Sequence, residues 1–316
     1  MSPDAPCHGD TSVAIVLQWL EQGGNPEEYP FVTNNHFDID GFIGTWCLLH
    51  PEEAMQKASV FRQAALIGDF RETDPGHPAT EEALRIVCWI NQVEKQQFYP
   101  PFGESREERT CIPKFVYFLE HFGDFLADPM AYREQWQEEY ETVQRDLAVW
   151  SSEDTTICDM GDIRLRIIRT PQPLHYYALF AQTQHCDMVL SQYAGQRYEL
   201  EYKYSTWVDT TRLSYPRLNM KLLATLLQER EGAGCHWQAN DIADSGPILR
   251  LTEKGSLSKE LRFDSPANRE ILGSSINPDV FKRAIVSYYR EHLIGIQAKR
   301  YWTWEEMRAL EVPSVP

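Results

Sequence analysis

Basic residues are scarce in this chain of 316 residues: 30 Lys and Arg stand against 47 Asp and Glu, a formal net charge of −17 at pH 7. Wrapping a long nucleic acid requires a basic surface that displaces counterions, so the balance argues against that class of function. It argues equally against an anionic membrane surface as partner. Long hydrophobic runs are missing too. Stretches such as Phe115–Leu119 fall far short of the roughly 20 apolar residues that a membrane-spanning helix needs. The apolar stretch Val13 to Leu20 has acidic flanks and no small-residue cleavage site, so it does not read as a signal peptide. The seven cysteines, at 7, 47, 88, 111, 158, 186 and 235, contain no C-x-x-C pair. That excludes a zinc ribbon or a dithiol redox motif and leaves reduced thiols in a cytoplasmic protein as the expectation. No internal repeat and no low-complexity segment is present.

What is present is ordinary globular material, 42% hydrophobic and 24% charged, enough for one large domain or two smaller ones. The acidity is unevenly spread. Residues 1–150 hold ten basic and 26 acidic side chains, while residues 151–316 hold 20 and 21. The texture changes at the same place. Before residue 151 the pattern is mostly helical. Asp10 or Ser12 can cap a first helix, Thr80 with Glu81 and Glu82 opens another, and Asp128-Pro129 starts a third, with Tyr132, Trp136, Tyr140, Val143, Leu147 and Trp150 on one face. A short strand is expected at Phe31-Val32-Thr33. Beyond residue 151, strands are expected at Ile163 to Ile168, Tyr176 to Ala181, Met188 to Leu190 and Tyr198 to Val208. In the last of these, Arg197, Glu199, Glu201 and Lys203 alternate with Tyr198, Leu200, Tyr202 and Tyr204, which predicts one wet face. Ser214-Tyr215-Pro216 and Asn277-Pro278 read as two further helix starts, and Gly295 as the end of the second helix. The fold class read from this is α/β shading into α+β: a helix-rich α/β half over 1–150 with a metal-site strand, and an α+β half over 151–316 with an antiparallel or mixed sheet.

The chemistry concentrates in His36-Phe37-Asp38-Ile39-Asp40-Gly41. In a strand, alternate side chains leave on one face, so His36, Asp38 and Asp40 would converge while Phe37 and Ile39 point inward. Two carboxylates and an imidazole gathered this way call for a cation, with mixed N/O donors suiting Mn²⁺ best and Fe²⁺, Zn²⁺ or Mg²⁺ as alternatives. Gly41 permits a sharp turn into a helix whose free N–H groups suit an anion. An EF-hand loop is excluded, because its twelfth position would be Cys47 in place of a bidentate Glu. A nucleotide-sugar D-x-D motif leaves His36 unexplained. An Asx-rich turn with a locally bonded His36 is the plain structural alternative.

Placed after a short apolar segment, H-x-D-x-D-G resembles the first metal-binding motif of the DHH phosphoesterase superfamily. The resemblance implies a two-Mn²⁺ site that activates water against a phosphate, with His36, Asp38 and Asp40 as ligands and Asp69 as the next candidate. This sequence has no Asp-His-His triplet and no Gly-Gly-Gly-His motif. Asp10-Thr11-Ser12, the His36–Gly41 motif, Gly68-Asp69-Phe70 and Tyr204-Ser205-Thr206-Trp207-Val208 resemble an uncharacterised bacterial domain family. That second resemblance implies bacterial origin and no known activity.

Further donors could come from His121 and Asp124, three apart on a helix. Contacts to a small anionic substrate could come from the second half: Arg164 and Arg166 on one strand face, and Arg212 and Arg217 flanking a helix start. A competing role for these arginines is pairing with the acidic first half. The sequence thus points to a metal-dependent, phosphoesterase-like hydrolase. The alternatives are a metal-free or degenerate ligand-binding or scaffold protein, and a single-metal biosynthetic enzyme with non-hydrolytic chemistry.

Overall fold

The computed structural model describes residues 10–98, 111–204, 211–253 and 265–310. It is an α+β fold whose chain divides into two compact units. The first runs to Leu147 and takes in Tyr177–Gln182, and the second comprises the rest.

Among its described residues the first unit is helical: α1 (Ser12–Glu21), α2 (Ile39–Leu49), α3 (Pro51–Gln56), α4 (Ala58–Phe70), α5 (Thr80–Val93), α6 (Ile112–Ala127) and α7 (Gln137–Ala148). The strand expected at Phe31-Val32-Thr33 is absent, and that segment is irregular up to the start of α2. Capping chemistry explains the difference. Asp38 sits in extended backbone as the N-cap of α2, its carboxylate accepting the Gly41 N–H at 2.6 Å. Asp-x-Asp-Gly ahead of an apolar periodic run is thus a helix start, and Asp40 lies inside the first turn. Thr11 rather than Asp10 or Ser12 caps α1, its hydroxyl accepting from Ala14 N–H at 3.0 Å. The segment opened by Asp128-Pro129 begins as a 3-10 turn, Pro129–Gln135, before α7 takes over. The core is aromatic. Phe42, Trp46, Phe61, Trp89, Phe118, Phe122 and Phe125 are all buried. Phe42 meets Phe122 edge-on at 5.1 Å, and Trp89 stacks on Phe125 at 4.4 Å, geometries that add to the area they remove from water.

The second unit carries the sheet: β1 (Thr156–Met160), β2 (Leu165–Thr170), β3 (Met188–Tyr193), β4 (Arg197–Tyr202), β5 (His236–Ala239) and β6 (Ile248–Thr252). The six strands are ordered β1-β2-β3-β4-β6-β5. Only β2 and β3 run parallel. Tyr176 to Ala181 is not a strand, since Tyr176–Leu179 forms the short helix α8. Helix α9 (Met220–Gln228) starts after Asn219, later than Ser214-Tyr215-Pro216 suggests, while α10 (Pro278–His292) starts at Asn277-Pro278 as read; α11 (Trp304–Ala309) follows. The end of the strand expected over Tyr198–Val208 lies outside the described residues.

The sheet has two chemically distinct faces. Leu165, Ile167, Leu190, Tyr198, Leu200 and Leu251 share a core with Leu223 of α9 and Phe281 and Tyr289 of α10. The register places Ser191 beside Glu199 and Glu199 beside Arg250 on the opposite face, with Arg166 beside Asp159 in the neighbouring row. This face is not wet. Glu199, Glu201 and Lys203 are 0%, 1% and 2% exposed. Arg269 supplies the reason: its Nε and Nη2 donate to the two oxygens of Glu199 at 3.0 and 2.6 Å, and Nη2 also reaches Glu201 at 3.1 Å. Lys203 donates to the Thr183 carbonyl at 2.9 Å.

Removing one partner from such a network leaves buried charge uncompensated. Arg269→Met is therefore expected to cost about 3–5 kcal/mol in urea unfolding. The triple variant Arg269→Met, Glu199→Gln, Glu201→Gln should recover much of that loss. A single-variant cost below about 1 kcal/mol, the range of exposed ion pairs, would show that the pair is solvated.

Candidate functional site

The motif's geometry starts from Phe37. Its ring lies 5.1 Å from the rings of Phe115 and Phe118 and 5.7 Å from that of Phe42. Lys114 Nζ sits 5.4 Å from the same ring and is ion-paired with Glu94 at 2.5 Å. With Phe37 anchored inward, its extended-chain neighbours face out: the His36 and Asp38 side chains are 63% and 31% exposed and meet at 2.6 Å through Nε2 and Oδ2. His36 Nδ1 contacts Asn35 Oδ1 at 2.6 Å. A Cβ at Gly41 would lie 2.3 Å from Asn34 Nδ2 and 2.7 Å from Asp38 Oδ1, so both side chains would have to shift to admit one.

Asp40 has a different task. It is buried, and its oxygens accept from Val13 N–H at 2.9 Å, from Ser12 N–H at 2.8 Å and from the Ser12 hydroxyl. A carboxylate of α2 thus closes the N-terminus of α1, where free N–H groups and the helix dipole favour negative charge. Burial raises the Asp40 pKa, and the hydrogen bonds from Ser12 and Val13 oppose that rise.

Asp69 approaches from α4. The preceding Gly68 lets that helix come close to α2, because a Cβ there would lie 2.7 Å from Ile39. Burial, then the charges of Asp38 and Asp40, push the Asp69 carboxyl up to about 7, with His36 pulling the other way. His36, Asp38, Asp40 and Asp69 therefore act on one another as a set. Just beyond Asp69, Arg71 adopts left-handed backbone (φ 60°) and Glu72 and Thr73 are buried, a polar stretch that the sequence reading passed over. His121 stacks on Tyr117 at 4.5 Å, and Asp124 is exposed on the same helix, its charge felt by Tyr132. The carboxylate whose charge is coupled to the motif from another helix is Asp69.

The four arginines are engaged within the second unit. Arg166 grips Asp159 with two bonds of 2.8 Å. Arg212 donates to Asp187 at 2.8 Å and to the carbonyls of Gln184 and Cys186. Arg164 donates to the Leu213 carbonyl and lies 3.9 Å from Asp187. Arg217 donates to the Asp244 carbonyl, with its guanidinium 4.8 Å from the ring centre of Trp304. Arg164 and Arg166 do not form one binding face, because Arg164 precedes β2 in left-handed backbone.

Two features went unread in the sequence. Among the described residues, the one trio of His, Cys or acidic side chains whose ligand atoms all lie within 4.8 Å of one another is Asp159, His185 and Cys186. It joins a strand to a distant turn, so no spacing reveals it. A cleft of about 750 Å³ beside edge strand β5 is lined by Lys221, Gln228, His236, Gln238, Asp241 and Arg250, among others. None of the metal or substrate residues read from the sequence lines it, and Lys221 and Asp241 are paired across it at 3.0 Å.

Residues 2–300 match a family of unknown function, DUF6687, and the chain belongs to that family. No curated protein and no solved structure matches it. No described helix is long and apolar enough to cross a membrane.

Asp69 gives the site a pH signature. A carboxyl held near 7 in the fold and near 3.9 when unfolded binds more protons folded than unfolded between those values. Its ionisation therefore costs stability as pH rises through that window. In chelator-treated protein, Asp69→Asn should be neutral at pH 4 and increasingly stabilising relative to wild type up to pH 8, read by urea unfolding at each pH. A stability difference that does not change with pH would remove Asp69 from the electrostatic set.

Proposed function

We propose that this DUF6687 member is a metal-dependent hydrolase of the phosphoesterase kind, acting on a small anionic substrate. One observation carries the reading: a carboxylate from α4 is half-buried against the charges of Asp38 and Asp40, with its pKa raised to about 7. Placing like charges together in partial burial is costly, and a cation among them removes the cost. Two carboxylates, of Asp38 and Asp69, and the His36 imidazole are hard and borderline donors of the kind that hold Mn²⁺ or Mg²⁺. An ion would have to draw them closer, because their ligand atoms do not all lie within 4.8 Å of one another. Asp69 and the outer oxygen of Asp38 would be the main ligands, with His36 beside them. Asp40 contributes charge and holds α1 in place, since Ser12 and Val13 engage both its oxygens. A divalent ion bound there would supply Lewis acidity and a water of lowered pKa. His36 stands next to that position, with an exposed imidazole able to hold or pass a proton.

The likeness to the DHH phosphoesterases is kept to the six motif residues, because the segment before them is not a strand. A second reading, a metal-free ligand-binding or scaffold protein, is favoured by the way Asp38 and Asp40 already serve as helix caps.

Chelated protein reconstituted with Mn²⁺ should bind the ion stoichiometrically and turn over a generic bis-phosphoester. Asp69→Ala and Asp38→Ala should each lower metal affinity or turnover by about a hundredfold or more. In wild type, the Asp69 titration near 7, followed by NMR with Mg²⁺ as a diamagnetic probe, should move downward when the ion is added. Absence of both stoichiometric metal and turnover leaves the binding-protein reading in possession.

A further inference from the structure

We propose that the second unit holds a separate cation site, in which Asp159, His185 and Cys186 bind a borderline-soft divalent ion of the zinc type. The inference does not depend on the hydrolase reading, because it rests on other residues and another class of donor.

The geometry begins with Arg166. Its two bonds of 2.8 Å fix the plane of the Asp159 carboxylate. That places Asp159 Oδ2 3.2 Å from His185 Nε2. Arg166 Nη2 also lies 3.1 Å from His185 Nε2. Oδ2 and Nε2 thus both lie against the same guanidinium nitrogen, and an ion entering here takes the place of Nη2 while Arg166 keeps its Nε bond to Oδ1. With the imidazole neutral and Nε2 unprotonated, both atoms can serve as ligands. Their separation is close to the edge of a coordination tetrahedron with bonds of about 2.0–2.1 Å. The sulfur of Cys186 lies within 4.8 Å of both.

Exposure suits entry of an ion. The His185 and Asp159 side chains are 58% and 39% exposed, while Cys186 forms the buried floor at 1%. Three protein ligands leave one position for water or a fourth donor. Sulfur with imidazole and one carboxylate selects zinc-like ions over Mn²⁺ or Mg²⁺, which prefer all-oxygen surroundings. On binding, the Cys186 S–H bond breaks, the sulfur donates its pair to the metal and the proton leaves to solvent. Burial pushes this thiol up to about 11, so affinity should rise with pH. Arg166 keeps the Asp159 carboxylate oriented through Nε and Oδ1, as a neighbour that holds a ligand in place.

Cobalt is the probe, because a thiolate bound to Co²⁺ gives a charge-transfer band in the near ultraviolet. Chelated full-length protein titrated with Co²⁺ should show that band at one equivalent, and Zn²⁺ should bleach it. Cys186→Ser should abolish the band. His185→Ala, at an exposed position that tolerates truncation, should weaken Co²⁺ binding by about tenfold or more. Asp69→Ala should leave the band intact, which separates this site from the one built on Asp38 and Asp69. No sulfur band in wild type, or an undiminished band in both Cys186→Ser and His185→Ala, overturns the assignment.

Discussion

A carboxylate taken out of water must be met by donors or by positive charge, and this constraint shapes both units. Asp40 is met by the opening turn of α1, so the first two α-helices are joined through one side chain. Glu199 and Glu201 are met by Arg269, and Asp187 by Arg212 and the Tyr215 N–H. Asp159, though 39% exposed, is also met by Arg166, whose hydrogen bonds hold its carboxyl down to about 2. Asp69 differs in sign from Asp159. Burial and two like charges dominate its surroundings, and His36 is the one opposing influence identified.

The same constraint explains what could be read from the sequence. Asn277-Pro278 marked a helix start because capping is local, and α10 begins at Pro278 with Asn277 as its cap. Helix α5 begins at Thr80 as read, but Thr80 is its first residue, not its cap, and its hydroxyl donates to the Asp74 carbonyl at 2.5 Å. Asp38-x-Asp40-Gly41 carried the same local signal, but a strand reading placed both carboxylates on one face. In the structure one is an N-cap and the other reaches a different helix. The alternation from Arg197 to Tyr204 was legible as a strand, while its environment was not. A polar face buried by ion pairs and a polar face open to water write the same pattern of period two. Only Arg269, some 70 positions away, distinguishes them. Tyr176–Leu179 misled for a related reason, since a short apolar run carries no periodicity to separate helix from strand.

The uneven charge also changes meaning. In the second unit many carboxylates and arginines are paired at short range, among them Arg164, Arg166 and Arg212, while Arg217 donates to the Asp244 backbone carbonyl. Its balance is a statement about its own packing. The first unit has no comparable supply of cations, and the few it has are committed locally, as with Lys57 to Glu82 and Arg62 to Glu21. Its acidity is carried by exposed helix faces, apart from the gathering around the His36–Gly41 motif.

Within that gathering the four groups are not equivalent donors. Asp38 and Asp40 each close a helix N-terminus, that of α2 and of α1 respectively. Asp69 lies in the last turn of α4, where carbonyls point outward and the helix dipole disfavours negative charge. Burial first, and then the charges of Asp38 and Asp40, push its carboxyl up to about 7. On the metal-site reading proposed above, Asp69 would be a ligand that the motif's own residues do not announce. Fold geometry, through Gly68 and the close approach of α4 to Ile39, brings Asp69 there, and a pattern of neighbouring residues cannot show that.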